Sequence, residues 1–173
     1  EGWIRAYGVS PKSPEEGFAA IQQFEGIQSL QVNFNLVDQR ALDLNLFKEC
    51  EKRQIGLIIR TPLCFGFLTG MYAKREELPP DDHRLRWNQE QFDTWNRANL
   101  LFADALHEKQ TPIQVALRYC LSFPQVSTII PGMLTPEHVK GNTSASGLPL
   151  FNPNQLEHFR QIYQKDTFFL EKK

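Results

Sequence analysis

Four runs of apolar residues, separated by polar stretches, set the pattern of the chain. They cover residues 4–9, 29–36, 56–61 and 125–131. In the second run every other position is apolar, namely Leu30, Val32, Phe34 and Leu36. A period of two is typical of a strand that buries one face. We therefore predict four β-strands.

Helix-start signals follow these runs. A capping residue stands directly before a proline, which suits the first helical position, at Ser13-Pro14, Thr111-Pro112, Thr135-Pro136 and Asn152-Pro153. Glu16 is expected to complete a capping box with Ser13, and Asp38 to cap another helix, which carries Leu42, Leu46 and Phe47 on one face and ends at Gly56. Longer patterns predict helices over residues 88–109, with Leu106 buried, and over a C-terminal tail at 153–165.

The order of these elements indicates the fold class. Strands alternate with helices and no Asn-Gly hairpin turn joins two strands, so the strands should run parallel under a cover of helices. An α/β fold follows, either a doubly wound sheet or part of a (β/α)8 TIM barrel. No GxGxxG turn follows a strand, which counts against a Rossmann domain. Polar residues 72–87 predict an inserted surface loop, whose RLRW segment either covers a pocket or faces solvent.

Composition excludes several classes of protein. A net charge of −1 over 173 residues, without a basic run, does not suggest a nucleic-acid or anionic-membrane partner. No apolar run approaches the roughly 20 residues of a membrane span. Cys50, Cys64 and Cys120 lack the spacing of a disulfide framework or a zinc site. A reducing, cytoplasmic location is expected.

Candidate binding positions lie just beyond the strands, where parallel α/β folds collect their ligands. Arg60 ends the third strand, where its guanidinium could stack on an aromatic ring, hold a phosphate or pair with a carboxylate. Gly132 and the cap at Thr135 predict a tight turn into a helix whose N-terminus favours anions. The four histidines have no metal-ligand spacing, and no catalytic motif is complete.

Four segments together resemble the C-terminal half of an aldo-keto reductase, from the fifth barrel strand onward. IRAYGVS is similar to the family's fifth-strand motif IRxxGVS, and LQVNFNLVDQRA resembles the sixth strand. RTPLCFGFLTGMY resembles the seventh-strand motif SPLxxGxLTGKY. TPIQVALRY and IIPGMLTPEHVKGN are similar to TPAQVALRW and IIPG…TPEQLxEN, which hold the adenosine end of the cofactor in the family.

The resemblance implies that residues 1–173 form a half-barrel that binds NADP(H), with NAD(H) as the alternative. The residues it carries over as cofactor-binding are Ser10, Gln31, Arg60, Thr61, Pro62, Leu63, Gly66, Gly132, Leu134, His138, Gly141 and Asn142. Ser10 and Gln31 would lie near the nicotinamide, and Arg60 would replace an aromatic residue that stacks on its ring. The intact enzyme would reduce aldehydes or ketones by hydride transfer. The family's catalytic Asp, Tyr, Lys and His lie in the first four strands, so this chain alone is expected to be inactive.

The sequence departs from the family pattern in ways that affect cofactor choice. Relatives often have Lys or Arg at Gly132 or His138 to pair with the 2′-phosphate, and Glu at Gly141 to meet the adenine. Pro11 replaces a common Asn and has no N–H to donate. A second hypothesis stays open, namely a non-catalytic nucleotide-binding or assembly module that docks to a partner.

Half of a barrel leaves surfaces that need a cover. Four parallel strands cannot close a barrel, because closure links strand number, tilt and stagger. We expect two free edges and an apolar inner face, covered by the missing N-terminal half or by a second copy of the chain.

Overall fold

A four-stranded parallel sheet organises the chain in a computed structural model, which describes residues 2–72, 74–103 and 110–170. The strands are β1 (Gly8–Val9), β2 (Ser29–Asn33), β3 (Gly56–Arg60) and β4 (Val126–Ile130). They lie in the order β1-β2-β3-β4, and every neighbouring pair is parallel. The predicted α/β fold with four parallel strands is confirmed.

Two strands are shorter than the apolar pattern predicted. β1 has only two residues, and the preceding Trp3 and Ile4 are 86% and 70% exposed. β2 ends at Asn33 because the side chain of Asn35 turns the backbone, its Oδ1 accepting at 3.0 Å from the N–H groups of both Val37 and Asp38. A side chain that bonds its own following backbone offers the chain an alternative to the sheet.

Helices cover one side of the sheet. They are α1 (Pro14–Gln23), α2 (Arg40–Asp43), α3 (Leu46–Lys52), α4 (Gln89–Asn96), α5 (Ala98–Leu101), α6 (Pro112–Leu121), α7 (Pro136–Ser144) and α8 (Pro153–Lys165). The four predicted N-caps form, each accepting from the backbone N–H three residues further on. Of the described helices, none combines the length and the apolar character that crossing a bilayer requires.

Some local predictions are wrong in detail. Glu16 accepts from the N–H of Lys12, so the capping box at Ser13 is only half formed. Asp38 caps no helix, because its carboxylate pairs with Arg40 at 2.8 Å and α2 begins after it without a side-chain cap. The helix expected through residues 42–47 breaks at Asn45, which has a φ of 55°.

The predictions for the region between β3 and α6, a surface loop and a long helix, have mixed outcomes. The inserted loop at 72–87 contains two short 3-10 turns, Arg75–Glu77 and His83–Arg86. The helix expected over 88–109 is divided into α4 and α5. Residues 104–109, which include Leu106, lie outside the described residues.

The sheet has an apolar and a polar face. Leu30 and Val32 align with Leu57 and Ile59, and all four are buried against helices. The side chains that alternate with them are mainly polar: Ser29, Gln31, Asn33, Arg60 and Thr128. The prediction of an apolar inner face is therefore wrong. This face carries mainly hydrogen-bonding side chains, and the bulky apolar residues that its strands contribute are Ile58 and Ile130.

Candidate functional site

A cleft of about 540 Å³ opens at the carboxyl end of the sheet. The loop after β3, the inserted loop and α7 surround it. Nine of the twelve predicted cofactor-binding residues line it, namely Thr61, Pro62, Leu63, Gly66, Gly132, Leu134, His138, Gly141 and Asn142. A volume of this size is typical of small-molecule and cofactor sites.

The wall that follows β3 has a strained backbone. Thr61, Cys64 and Phe65 have φ values of 52°, 45° and 56°, a region that side-chain-bearing residues rarely adopt. Each such residue costs about 1–3 kcal/mol and persists only where its surroundings hold it. Here the Thr61 hydroxyl donates to Asn33 at 3.1 Å, and the Thr61 carbonyl accepts from the Asn35 amide at 2.8 Å. The strands therefore hold the cleft wall in one shape.

The inserted loop contributes an arginine to the cleft. The guanidinium of Arg84 lies 3.7 Å from the centre of the Tyr72 ring and 2.5 Å from a carboxylate oxygen of Asp82. Its Nη1 donates to the carbonyl of Phe65 at 3.3 Å. Its buried Nε finds no hydrogen-bond partner among the described residues, although the side chain is only 13% exposed. The guanidinium of Arg84 thus places a held positive charge in the wall of the cleft, which favours an anion there.

The ion pair of Arg84 is reflected in the pKa of its partner. Burial raises the pKa of Asp82, but hydrogen bonds from the backbone and side chain of Arg84 outweigh this effect and lower it. Asp82 therefore stays ionised at neutral pH and keeps the guanidinium in place.

The start of α7 forms the opposite wall. Thr135 caps the helix by accepting from the N–H of His138, and the ring Nδ1 of His138 accepts from the N–H of Leu134 at 3.3 Å. The Nε2 of this ring is then the nitrogen available to a ligand. Glu137 also lines the cleft, and hydrogen bonds from its own N–H and from Thr135 lower its pKa. The carboxylate of Glu137 thus partly compensates the positive end of the α7 helix dipole.

Two glycines leave space in this wall. A Cβ added to Gly132 or Gly141 would meet nothing within 4 Å. The side-chain amide of Asn142, which is buried, donates to the carbonyl of Gly132 at 3.3 Å and closes the turn between β4 and α7. The backbone on this side of the cleft is therefore open to a ligand.

The other three predicted residues, Ser10, Gln31 and Arg60, form a separate group beside the cleft. Together with Asn33 they form what we call the strand-end cluster, at the carboxyl ends of β1, β2 and β3. Arg60 donates to Ser10 at 2.9 Å and to Asn33 at 2.6 Å, and Ser10 donates to Gln31 at 3.4 Å. Arg60 also donates to the carbonyls of Pro11, at 2.7 Å, and Lys12, at 3.3 Å. In the described part of the chain, no carboxylate pairs with Arg60.

Sequence reasoning missed about half of the lining. The missed residues are Phe65, Thr69, Met71, Tyr72, His83, Arg84, Ile113, Ile130 and Glu137. Only the RLRW segment, residues 84–87, signalled a cover for a pocket, and its Arg84 does line the cleft. Ile113, Ile130 and Glu137 lie in α6, β4 and α7, and the remaining residues lie in the segment that follows β3.

These features define an α/β protein whose parallel sheet carries an open ligand cleft at its carboxyl end. A model of the Aldo/keto reductase family matches residues 1–164, and the chain therefore belongs to this family.

Two curated relatives show how much of the family protein the chain represents. The chloroplastic pyridoxal reductase of Arabidopsis thaliana is 31% identical over 162 residues, which cover 91% of this chain and 43% of that protein. A probable voltage-gated potassium channel subunit beta of the same plant is 26% identical over 182 residues, covering 95% of this chain and 54% of that protein. The chain spans about half the length of the curated relatives it matches.

Solved structures support the fold. An aldo-keto reductase from Bacillus halodurans, in its holo form, matches 99% of this chain and 54% of its own at a TM-score of 0.68 and 21% identity. The glycerol dehydrogenase of Gluconobacter oxydans matches 99% of this chain and 52% of its own at a TM-score of 0.74 and 21% identity. The prediction of an incomplete barrel agrees with these partial matches.

Proposed function

We propose that the chain is the NADP(H)-binding half of an aldo-keto reductase, with NAD(H) as the alternative cofactor. The intact protein would reduce an aldehyde or ketone by hydride transfer. The observation that carries this proposal is the cleft itself, which brings residues from two distant segments, 61–66 and 132–142, to one place at the carboxyl end of the sheet. Membership of the family supports the same function.

The residues of the cleft suit a dinucleotide. The guanidinium of Arg84 in the cleft wall suits a phosphate, and the open space at Gly132 and Gly141 admits a ribose or a base. We assign the diphosphate to the segment 61–66 with Arg84, and the adenosine end to the turn into α7. The strand-end cluster would hold the nicotinamide, to which Ser10 and Gln31 offer hydrogen bonds. The bound cofactor would supply the hydride.

The proposed activity needs a second part of the protein. The proton donor would come from the first four barrel strands, which the resemblance assigns outside this chain. Large apolar side chains are exposed at the β1 end of the sheet, where Trp3 and Ile4 are 86% and 70% exposed. An N-terminal half would cover both, and a second copy of the chain is the alternative. We propose no nucleic-acid or membrane partner.

The second candidate function is a non-catalytic module that docks to a partner. The similarity to a probable potassium channel subunit beta favours it. Turnover separates the two functions, since a module would bind the dinucleotide without reducing any of a panel of aldehydes and ketones. We place the protein in the cytoplasm, which suits its three free, buried cysteines.

Titration of the native-length protein with NADPH, followed by the fluorescence of the reduced nicotinamide, tests the proposal. Arg84→Gln should weaken binding about tenfold or more, because it removes a charge-assisted contact to phosphate. Lys48→Gln on the exposed side of α3 removes the same charge away from the cleft and should leave binding unchanged. A wild-type protein that binds neither NADPH nor NADH would refute the proposal.

A further inference from the structure

Arg60 is a half-buried cation that has no charged partner among the residues that the structure describes. Its guanidinium donates to four acceptors, all of them neutral: Asn33, Ser10 and the carbonyls of Pro11 and Lys12. Five other arginines of the described chain pair with carboxylates, namely Arg40, Arg53, Arg84, Arg97 and Arg160. Arg118 is also held by neutral acceptors, Gln110 and the carbonyl of Pro149, but it lies over the Phe151 ring and away from the candidate site. Withdrawing a charge from water without a counter-ion is unfavourable, so an uncompensated charge at a candidate site points to a role in binding.

The same hydrogen bonds hold this charge in one position. Arg60 uses its Nε, one N–H of Nη1 and both N–H groups of Nη2, which leaves one N–H free. The guanidinium thus joins the carboxyl ends of β1, β2 and β3 and cannot swing away when a ligand enters.

We propose that Arg60 makes the protein bind the reduced nicotinamide dinucleotide more tightly than the oxidised one. This inference rests on the proposed function, in which the nicotinamide lies against the strand-end cluster. The oxidised ring carries a positive charge and the reduced ring is neutral, while the rest of the dinucleotide is the same in both. A fixed cation at the ring therefore repels only the oxidised form.

The size of the effect follows from Coulomb's law. Two unit charges at contact distance repel strongly at an effective dielectric constant of about 20, and partial exposure reduces this repulsion. We expect the oxidised form to bind about tenfold more weakly than the reduced form, a difference of about 1.4 kcal/mol. The site would then favour binding of the reduced dinucleotide and release of the oxidised dinucleotide, which is the order that carbonyl reduction requires.

Dissociation constants of both redox forms, measured by calorimetry on the native-length protein, test this inference. Arg60→Gln should lower the ratio of the oxidised to the reduced constant about tenfold, mainly through tighter binding of the oxidised form. Arg60→Lys keeps the charge and should keep most of the ratio. In the wild type the ratio should also fall as salt rises from about 50 mM to about 500 mM, because salt screens the repulsion while the shared phosphates cancel.

An unchanged ratio in Arg60→Gln would overturn the inference and leave Arg60 as a tie between strands, even if both forms bound more weakly. If Arg60→Gln does not fold, the wild-type salt series decides, and a ratio independent of salt would overturn it. A wild type that binds neither form would refute the proposed function, a result distinguishable from equal binding of both forms.

Discussion

Gly66 is the position where one added methyl group should damage the cleft most. Its φ of 96° lies in the region that favours glycine. A Cβ built there would lie 2.9 Å from Cε2 of Tyr72 and 3.2 Å from Nη1 of Arg84. Gly66→Ala therefore combines backbone strain with a collision against the pair that closes the wall of the cleft.

The magnitude of this change can be worked from the two contributions. Placing alanine in a left-handed conformation costs about 1–2 kcal/mol. Extra atoms in a packed site cost about 1–3 kcal/mol, since the Tyr72 ring has to move. We expect the free energy of unfolding to fall by about 2–5 kcal/mol. Because Arg84 stacks on Tyr72 at 3.7 Å, the displaced ring should also weaken dinucleotide binding.

A matched control is available in the same chain. Gly147 ends a 3-10 turn, has no left-handed φ, and a Cβ there would meet nothing within 4 Å. Urea unfolding and NADPH titration of the native-length protein should show the losses for Gly66→Ala and not for Gly147→Ala. If both variants unfolded at the same urea concentration and bound NADPH equally well, the reasoning about the cleft wall would be refuted.

Three further predictions concern the adenosine end, the alkaline limb of stability and the C-terminal tail. Gly132→Lys should raise the affinity for NADPH relative to NADH, because the open space there admits a cation that can reach the 2′-phosphate. Titrations with NADPH and with NADH give the ratio of the two dissociation constants. An unchanged ratio would contradict the assignment of the adenosine end to this turn. Burial raises the pKa of Cys50 from 9.0 to about 11 and that of Tyr163 from 10.0 to about 12. The stability gained by keeping these two groups protonated is complete below their pKa values in the unfolded chain and is lost as the pH rises through their pKa values in the folded protein. The urea midpoint should therefore fall above about pH 9. A midpoint that does not change with pH would argue against burial of both groups. Phe168→Ala should cost about 3–5 kcal/mol in thermal unfolding, because the ring is 2% exposed against Phe102 and Tyr163; a loss below about 1 kcal/mol would show that the tail does not pack there.

Local chemistry explains which parts of the fold could be read from the sequence. The caps at Thr111 and Asn152 form complete capping boxes because each needs only residues within one helical turn. Asp38 failed as a cap because its carboxylate pairs with Arg40 and its backbone is engaged in the turn at Asn35. Helix starts were therefore more predictable than helix lengths.

The residues of the candidate site likewise fall into those that could be predicted from the sequence and those that could not. Residues within the motifs after β3 and β4 could be placed, because those motifs follow directly from the strands that position them. Arg84 and Tyr72 could not, since the inserted loop has to fold back before they meet the cleft. The partners of Arg60 were equally hidden, because the open choice between stacking, phosphate and carboxylate depended on what Ser10 and Asn33 offered to it in space.

The distribution of polarity on the sheet favours one kind of cover over another. A second copy packed face to face would bury the inner face, including the uncompensated charge of Arg60, which is unfavourable. The apolar side chains exposed directly before β1, such as Ile4, lie instead at one end of the sheet, and β1 and β4 each pair on one side only. Continuing the sheet from both edges would satisfy the strand hydrogen bonds, cover these side chains and leave the inner face lining a site. The surface of the chain thus favours an N-terminal half over a face-to-face dimer.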